Sequence, residues 1–437
     1  MSVRLHQLRT PMAVLVALCA CSLAARAAWL GEPCRSPCRA GHDHLVIFDE
    51  DYYVGAARAI ASQPSPAGSQ YAHAPRGVDP NSEHPQLVKM LIAGSIELFG
   101  DGPFAWRLGS LLVGTIAIVG MFALARAAGA PPPVALAAAA LMASDNLLLV
   151  HGRIATLDIY AVAAMIWSAV LYLRGSVVAA GVLVGIGACC KLVAPYVLLA
   201  LALFEALRVL RGGSAARWRV WGRAAARIAA CAAVAATVFV ALLAGLDALA
   251  PPYDMSAGRR LAAGPFHHIA HMLSYAAHQT SPHGPSGIAS YPWGWLVDYK
   301  PIVYLNIDPA QPATGLRGIH PAAHFLGMIN PAILLAALLG LGWALWRLRR
   351  RQEALDAVPL VGIAWLAGTF LPFLALSLFW QRTSYLYYMV VVMPGLYLLA
   401  SELVWRWRAR RRLVGAWAVA VVLGAVALYP FTPVPWG

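Results

Sequence analysis

Long apolar runs alternate with short polar breaks along this chain, except in two places where polar residues persist. A helix rises about 1.5 Å per residue, so crossing a hydrocarbon layer of about 30 Å takes roughly 20 mostly apolar residues. Eleven segments meet that requirement and are predicted as spans: 11–30, 104–126, 131–151, 155–173, 175–191, 193–210, 227–248, 321–346, 357–379, 384–403 and 412–430. The two polar exceptions, residues 31–103 and 248–320, become long loops. Within the first, residues 86–99 (QLVKMLIAGSIELF) are apolar but too short to span, which predicts a helix lying at the interface or re-entering it.

Composition excludes a soluble globular protein. Sixty per cent of residues are apolar and 12% charged, against roughly 45–50% and about 25% in ordinary soluble domains. The 37 Gly and 30 Pro are interleaved with the apolar runs, so the chain is not a disordered low-complexity one either. The net charge of +14 comes from 33 basic and 19 acidic residues. Its placement beside apolar runs reads as membrane topology rather than nucleic-acid binding. Arginines cluster at Arg4 and Arg9, at Arg208–Arg227, at Arg347–Arg351 and at Arg406–Arg412. With eleven spans and a cytoplasmic N-terminus all four clusters fall on one side, and both long loops fall on the extracytoplasmic side. The first span is read as an uncleaved anchor, a cleaved signal peptide ending near Ala25–Ala28 being the other reading. Cys34 and Cys38, which alone lie outside apolar runs, suit a small-loop disulfide on that side. A lone CxxxC falls short of the four ligands of a closed zinc site. No internal repeat is evident, which argues against a transporter built from repeated halves.

Nine of the nineteen acidic residues lie in loop 31–103, three of them adjacent, Asp49, Glu50 and Asp51, inside FDEDYY. Neighbouring carboxylates beside aromatics at a membrane surface raise one another's pKa, which makes a candidate general base; a solvated acidic turn is the plainer reading. A second set is basic: Lys89, Arg107, Arg153, Lys191, Lys300 and Arg382 lie on or near the extracytoplasmic face, and include all three lysines of the chain. Cations there suit an anionic head group such as a lipid phosphate, or else act as snorkelling anchors. Arg153 and Asp158 in HGRIATLDIY are spaced for an imperfect ion pair at the start of a span. His267, His271 and His278 share a helical face, which suits either a metal or a polar stripe facing a cavity. No GxSxG elbow, Walker A loop or dinucleotide fingerprint is present.

Taken in order, these stretches resemble the GT-C superfamily of membrane glycosyltransferases, and within it the dolichyl-phosphate-mannose protein mannosyltransferases in a short bacterial form. FDEDYY resembles the acidic motif of their first loop, with Asp49 and Glu50 on its Asp-Glu pair. HPQLVKMLIA is similar to a His-Pro-Pro stretch through His84, Pro85 and Lys89, although Gln86 stands at the second proline. FAWRLGSLLVG matches an arginine motif through Arg107, GRIATLDIY through Arg153 and Asp158, and CCKLVAPY through Lys191. The second loop is similar through Tyr275, Ser290, Trp293 and Trp295, with Lys300 and Pro301 where Arg-Pro is usual.

The resemblance implies an all-α polytopic membrane protein, a GT-C-like bundle of about 11 helices with two long extracytoplasmic loops. Its parts would be a glycosyltransferase core over 1–247 containing the catalytic loop 31–103, the second loop 248–320, and a C-terminal four-helix region over 321–437. It implies transfer of a sugar, typically mannose, from a polyprenyl-phosphate donor to a hydroxyl, with protein Ser/Thr as first acceptor and with inversion, in a bacterial inner membrane. Asp49 would be the base, with Glu50 positioning the acceptor or polarising the base. Arg107, Arg153, Lys191, Lys300 and Arg382 would meet the donor phosphate. His84, Lys89, Asp158, His278, Trp293 and Trp295 would shape the site or hold the acceptor. No cofactor, resident metal or nucleic acid is implied, and a divalent-ion requirement stays open. Two other readings stand beside it: a glycolipid or polysaccharide acceptor, as in an arabinose transferase acting on lipid A, and a lipid-linked sugar flippase.

Overall fold

The computed structural model describes residues 2–35, 38, 43–211, 217–307, 323–350 and 356–432, with side chains from Thr10 onward. Arg351 therefore lies outside the described residues, as do the side chains of Arg4, Arg9 and Arg217.

Each expected span overlaps at least one helix, but one is split in two, one begins as a strand, and several helices are too short to cross a membrane. In chain order the elements are α1 (Ser2–Ala27), α2 (Glu50–Ile60), α3 (Leu87–Phe99), α4 (Pro103–Ala127), α5 (Pro132–Ser144), α6 (Asn146–His151), α7 (Asp158–Leu173), α8 (Val177–Cys190), α9 (Tyr196–Arg211) and α10 (Arg217–Leu249). The short strands β1 (Tyr253–Asp254) and β2 (Arg259–Arg260) follow, then α11 (Pro265–His278), α12 (Pro292–Trp295) and the antiparallel pair β3 (Ile302–Ile307) and β4 (Ala323–Gly327). The chain closes with α13 (Pro331–Arg349), α14 (Ala357–Trp380), α15 (Met389–Arg406) and α16 (Arg411–Ala427). Among the described residues six helices are long and apolar enough to cross a membrane: Thr10–Ala27, Pro103–Ala127, Trp218–Leu249, Pro331–Arg349, Ala357–Trp380 and Leu386–Arg406.

The departures have identifiable causes. The expected span 131–151 is divided between α5 and α6 because Asp145 leaves the helical region at φ −83°, ψ 125°. Its carboxylate accepts from the Leu147 and Asn330 amides and, at 2.5 Å, from the Tyr397 hydroxyl. The expected span 321–346, whose first two residues lie outside the described ones, is from Ala323 onward a strand followed by a helix. Asn330, extended, caps the Ala332 amide, and Pro331 fits the first helical turn where no amide is needed. Lys191, extended at φ −157°, ends α8 and makes the expected turn into α9. Helix α10 begins ten residues earlier than expected, and at 33 residues it is about 50 Å long.

The bundle packs through small residues. A Cβ on Gly181 would lie 2.6 Å from the Cys231 carbonyl and one on Gly185 2.7 Å from Val238 Cβ, so α8 and α10 approach as closely as two backbones can. Large apolar side chains of α4, α10, α13 and α16 face outward, among them Leu112, Leu249, Leu335 and Leu423, as lipid-facing surfaces require. The main apolar core runs from Leu15 to Phe431, and a smaller cluster of Cys189, Leu243, Leu246 and Met272 joins α8, α10 and α11. Two of the arginine clusters touch where Arg211 donates to the Leu348 carbonyl, and a third meets the start of α14 through Arg406 and Asp356.

The end of α1 is fastened by two buried arginines. Arg26 donates to the carbonyls of Leu111 and Gly152 at 3.0 and 3.1 Å and to Thr115 Oγ1 at 2.7 Å. Arg153 donates back to the carbonyls of Arg26, Ala28 and Trp29 at 2.9, 2.6 and 2.5 Å, beneath the Phe431 ring. Tyr429 adds a bond from the far end of the chain to the Ala25 carbonyl, 2.8 Å. Arg153→Met keeps the volume but takes the guanidinium from the Arg26 and Ala28 carbonyls, each costing about 1–3 kcal/mol when buried and unpaired, while the Trp29 carbonyl keeps the Glu32 amide at 2.9 Å. The variant is expected to melt well below the wild type in the same detergent; an unchanged melting temperature would remove Arg153 from the fastening.

Candidate active site

The first loop carries one carboxylate into a cavity and locks the next one away from it. Helix α2 begins at Glu50, so consecutive acidic residues leave the chain in different directions. Glu50 is fully buried: Oε1 accepts from Arg107 Nε and the Ala155 amide, both at 2.8 Å, and Oε2 accepts from Arg107 Nη2 at 2.7 Å and the Ile47 amide at 2.8 Å. Arg107, on α4, spends its remaining donors on the carbonyls of Leu30 (2.5 Å), Leu45 (3.1 Å) and Glu32 (3.4 Å). One ion pair thus holds both ends of the segment 30–50.

Just before the base candidate, Phe48 adopts φ +56°, a conformation that a bulky side chain reaches only when its surroundings impose it. The imposing group comes from the second loop. Tyr304 of β3 stacks on the Phe48 ring at 4.2 Å, and its hydroxyl meets His151 Nε2 at 2.9 Å. Between these clamps Asp49 faces a cavity of about 260 Å³. Burial pushes its carboxyl up to about 7, with nearby Asp158 adding to the rise and Lys191 opposing it.

Cations line the same cavity. Lys191 sits at the turn between α8 and α9, its Nζ 2.6 Å from Asp158 Oδ1 and over the rings of Tyr387 and Tyr388 at 5.0 and 5.6 Å. Arg382, at the turn after α14, donates to the Ala276 carbonyl and also faces the cavity. His84 completes this side; burial, with Lys191, Lys89 and Arg382 nearby, holds its imidazole well below the usual range, so it is neutral at pH 7. The remaining wall is aromatic, with Tyr52 and Tyr53 from α2, Tyr275 from α11, and Tyr385, Tyr387 and Tyr388 ahead of α15. Hydroxyls and ring faces together make this wall amphipathic.

Asp49, His84, Lys191 and Arg382 are therefore brought together, while the other expected residues stand behind them. Lys89 is fully buried and gives its three protons to Asp79 (2.6 Å) and to the carbonyls of Asn81 (2.5 Å) and His84 (2.9 Å), which shapes the turn that presents Asn81, Glu83 and His84. Asp158 pairs with Lys191 rather than with Arg153, because the guanidinium of Arg153 turns to the end of α1. Arg107 and Arg153, expected at a phosphate, are bonded to carbonyls and Glu50 and lie off the cavity. Lys300, at φ +63°, donates to the Ala289 carbonyl within the second loop, 2.8 Å. Trp295 is buried, bonded to Ser290 Oγ and packed on Tyr388, whereas Trp293 is exposed and stacked on Tyr291. His278 is exposed one residue before Gln279, which lines the cavity.

The three histidines expected on one face do not converge. His267 and His278 bond the carbonyls of Ala263 and Ser274, and His271 meets Ser82 Oγ at 3.2 Å. His268, between them, is the buried one; it joins Asp247 (2.8 Å) to the Ser82 carbonyl (2.9 Å) and so docks α11 onto the first loop. Cys34 and Cys38 form the expected disulfide. With His44 they are the one three-residue group of metal-ligand type among the described residues, but both sulfurs are bonded to each other.

Residues 83–244 match the family described as dolichyl-phosphate-mannose-protein mannosyltransferase. The polyprenol-phosphate-mannose protein mannosyltransferase of Mycolicibacterium smegmatis is 34% identical over 109 residues, covering 25% of this chain and 20% of that protein. The match therefore spans about a fifth of the relative's length. By fold, a chain of the Saccharomyces cerevisiae Pmt1-Pmt2 O-mannosyltransferase complex bound to its sugar donor superposes with a TM-score of 0.69 over 97% of this chain and 90% of that one, at 12% identity. ArnT from Cupriavidus metallidurans bound to undecaprenyl phosphate gives 0.53 over 95% and 63%, at 19% identity. The matching segment and the shared bundle agree: the chain has the fold of these membrane transferases, and over residues 83–244 it is similar to the dolichyl-phosphate-mannose-protein mannosyltransferases.

Proposed function

We propose that the protein transfers mannose from a polyprenyl-phosphate donor to a hydroxyl of a protein Ser or Thr, and that Asp49 is the base. The observation that carries this is a carboxyl raised to about 7 by burial, in a tyrosine-lined cavity of about 260 Å³ that also holds Lys191 and Arg382. A neutral-range base and two cations in a space sized for one hexose divide the reaction between them. Asp49 takes the acceptor proton as the hydroxyl oxygen attacks the anomeric carbon from the face opposite the phosphate. The bond from that carbon to the phosphate oxygen breaks, its electron pair leaves with the lipid phosphate, and configuration inverts. The departing phosphate monoester gains charge, which Lys191 and Arg382 meet, so no general acid is required. His84, being neutral, is suited to hydrogen-bond sugar hydroxyls.

Glu50 and Arg107 are positioning residues in this scheme, as are Asp158 behind Lys191 and Lys89 behind His84. Arg153 and Lys300 hold the two loops, and Trp295 holds Tyr388. The membrane setting in this reading is a bacterial inner membrane with the N-terminus and arginine clusters cytoplasmic and the cavity extracytoplasmic. The eleven spans form the membrane parts 1–247 and 321–437, and loop 248–320 covers the cavity. Charge placement supports this, since the clusters in contact with one another lie on helix ends away from the cavity-lining turns.

Two measurements test the reading. In membranes supplied with radiolabelled polyprenyl-phosphate mannose, the wild type is expected to label protein, and Asp49→Asn to lose at least about a hundredfold in rate, the scale of general-base catalysis, while still binding donor. Unchanged transfer in Asp49→Asn sinks the base, and label confined to lipid moves the acceptor to a glycolipid. The second is the pH profile. A base titrating near 7 must be ionised to act, so kcat/KM rises with pH through neutrality. Removing the opposing cation in Lys191→Met moves the midpoint to higher pH, and removing the neighbouring anion in Asp158→Asn moves it lower. Midpoints that stay put in both variants contradict this electrostatic account.

A further inference from the structure

Behind the cation wall of the active cavity lies a second, smaller one of about 70 Å³. It shares Arg382 and Thr383 with the first and is otherwise lined by neutral groups, chiefly Ser281, Ser377, Ser384, Pro282 and Pro285. The two residues they share belong to a short backbone pairing of segments 279–281 and 381–383. Ser281 donates its amide to the Gln381 carbonyl at 2.8 Å, Thr383 donates to Gln279 at 2.9 Å, and the Ser281 and Thr383 hydroxyls meet at 2.7 Å. Paired strands lie about 4.8 Å apart, and an extended chain advances about 3.3 Å per residue, so one or two residues of an acceptor span that pairing. Tyr291, which lines the small cavity, is exposed and stacked face to face on exposed Trp293 at 4.2 Å, forming a flat apolar rim.

We propose that this second cavity is an acceptor subsite: it takes a small uncharged side chain, such as Ala, Ser, Thr or Pro, close in sequence to the hydroxyl presented to Asp49. The inference rests on the protein-acceptor reading and adds a selection rule to it. The volume is about that of two water molecules, which admits a side chain of one to three heavy atoms and rejects Leu or Trp. The one charge on its wall is Arg382, and no carboxylate lines the cavity, so an acceptor Lys or Arg would be buried beside a like charge without a partner, while Glu is excluded by length alone. The hydroxyls of the lining serve a small polar side chain, and the prolines and Tyr291 serve a methyl or a pyrrolidine.

The experiment uses the full chain in lipid nanodiscs with polyprenyl-phosphate mannose and peptides carrying a single threonine. Flanking positions are Ala, Ser or Pro in one set and Arg, Glu, Leu or Trp in the other. The wild type is expected to favour the first set by about tenfold or more in kcat/KM. Ser377→Leu, which fills the cavity from α14, is expected to bring that ratio to about one by loss on the small-residue peptides. Equal kcat/KM for both sets in the wild type, or an undiminished ratio in a folded Ser377→Leu, overturns the subsite and leaves peptide mannosylation standing. If Ser377→Leu does not fold, the wild-type ratio alone decides. Label in lipid with no peptide mannosylated brings down the protein-acceptor reading, and the subsite with it.

Discussion

The buried pair between Glu50 and Arg107 is the constraint on which the site depends. Two charges taken out of water are costly, and the cost is offset only when every lone pair and proton finds a partner. Here they do: the carboxylate accepts four bonds and the guanidinium serves three carbonyls besides. Breaking such a pair from one side costs about 3–5 kcal/mol, so the loop has one arrangement rather than several. The planar guanidinium matters as well as its charge, because its fork geometry reaches Glu50 with two bonds at once while its outer edge reaches the loop backbone.

That rigidity lets two neighbouring carboxylates differ in character. Glu50 is saturated with donors, whereas Asp49, one position earlier, is desolvated with its nearest cation tied to another acid. The second loop completes the separation from above through Tyr304 on Phe48, and His268 fastens α11 over the turn that carries His84. The two loops are therefore parts of one enclosure, each supplying a wall that the other holds in place.

Much of this was legible in the sequence because its causes are local. Apolar run length located the helices of the bundle, though not α2, α11 or α12 in the loops; the acidic run marked Asp49, scarcity of lysine marked Lys191, and Arg382 stood out by lying away from the arginine clusters. What sequence reading missed arises from contacts between distant segments. That Asp145 breaks a helix depends on Tyr397 and Asn330, far along the chain. That Arg107 and Arg153 serve backbone rather than substrate follows from carbonyls presented by loops whose paths no periodicity reveals. The cluster Tyr385, Tyr387 and Tyr388 had a usable signal, three tyrosines within four positions beside Arg382, but it lay inside a predicted span and was read as part of it. The buried His268 was masked by more regularly spaced neighbours.

The fastening of the first helix has a consequence for synthesis. The carbonyl of Ala25 is bonded by Tyr429, 404 residues later, and the Phe431 ring lies over the guanidinium that holds the same turn. Arg26 and Arg153 can hold that turn as soon as α4 to α6 are in place, since their partners all precede residue 154. Tyr429 and Phe431 reach it only after α16 has been made, so the fastening forms in two stages, an early one within the first third of the sequence and a late one that joins α1 to the segment following α16.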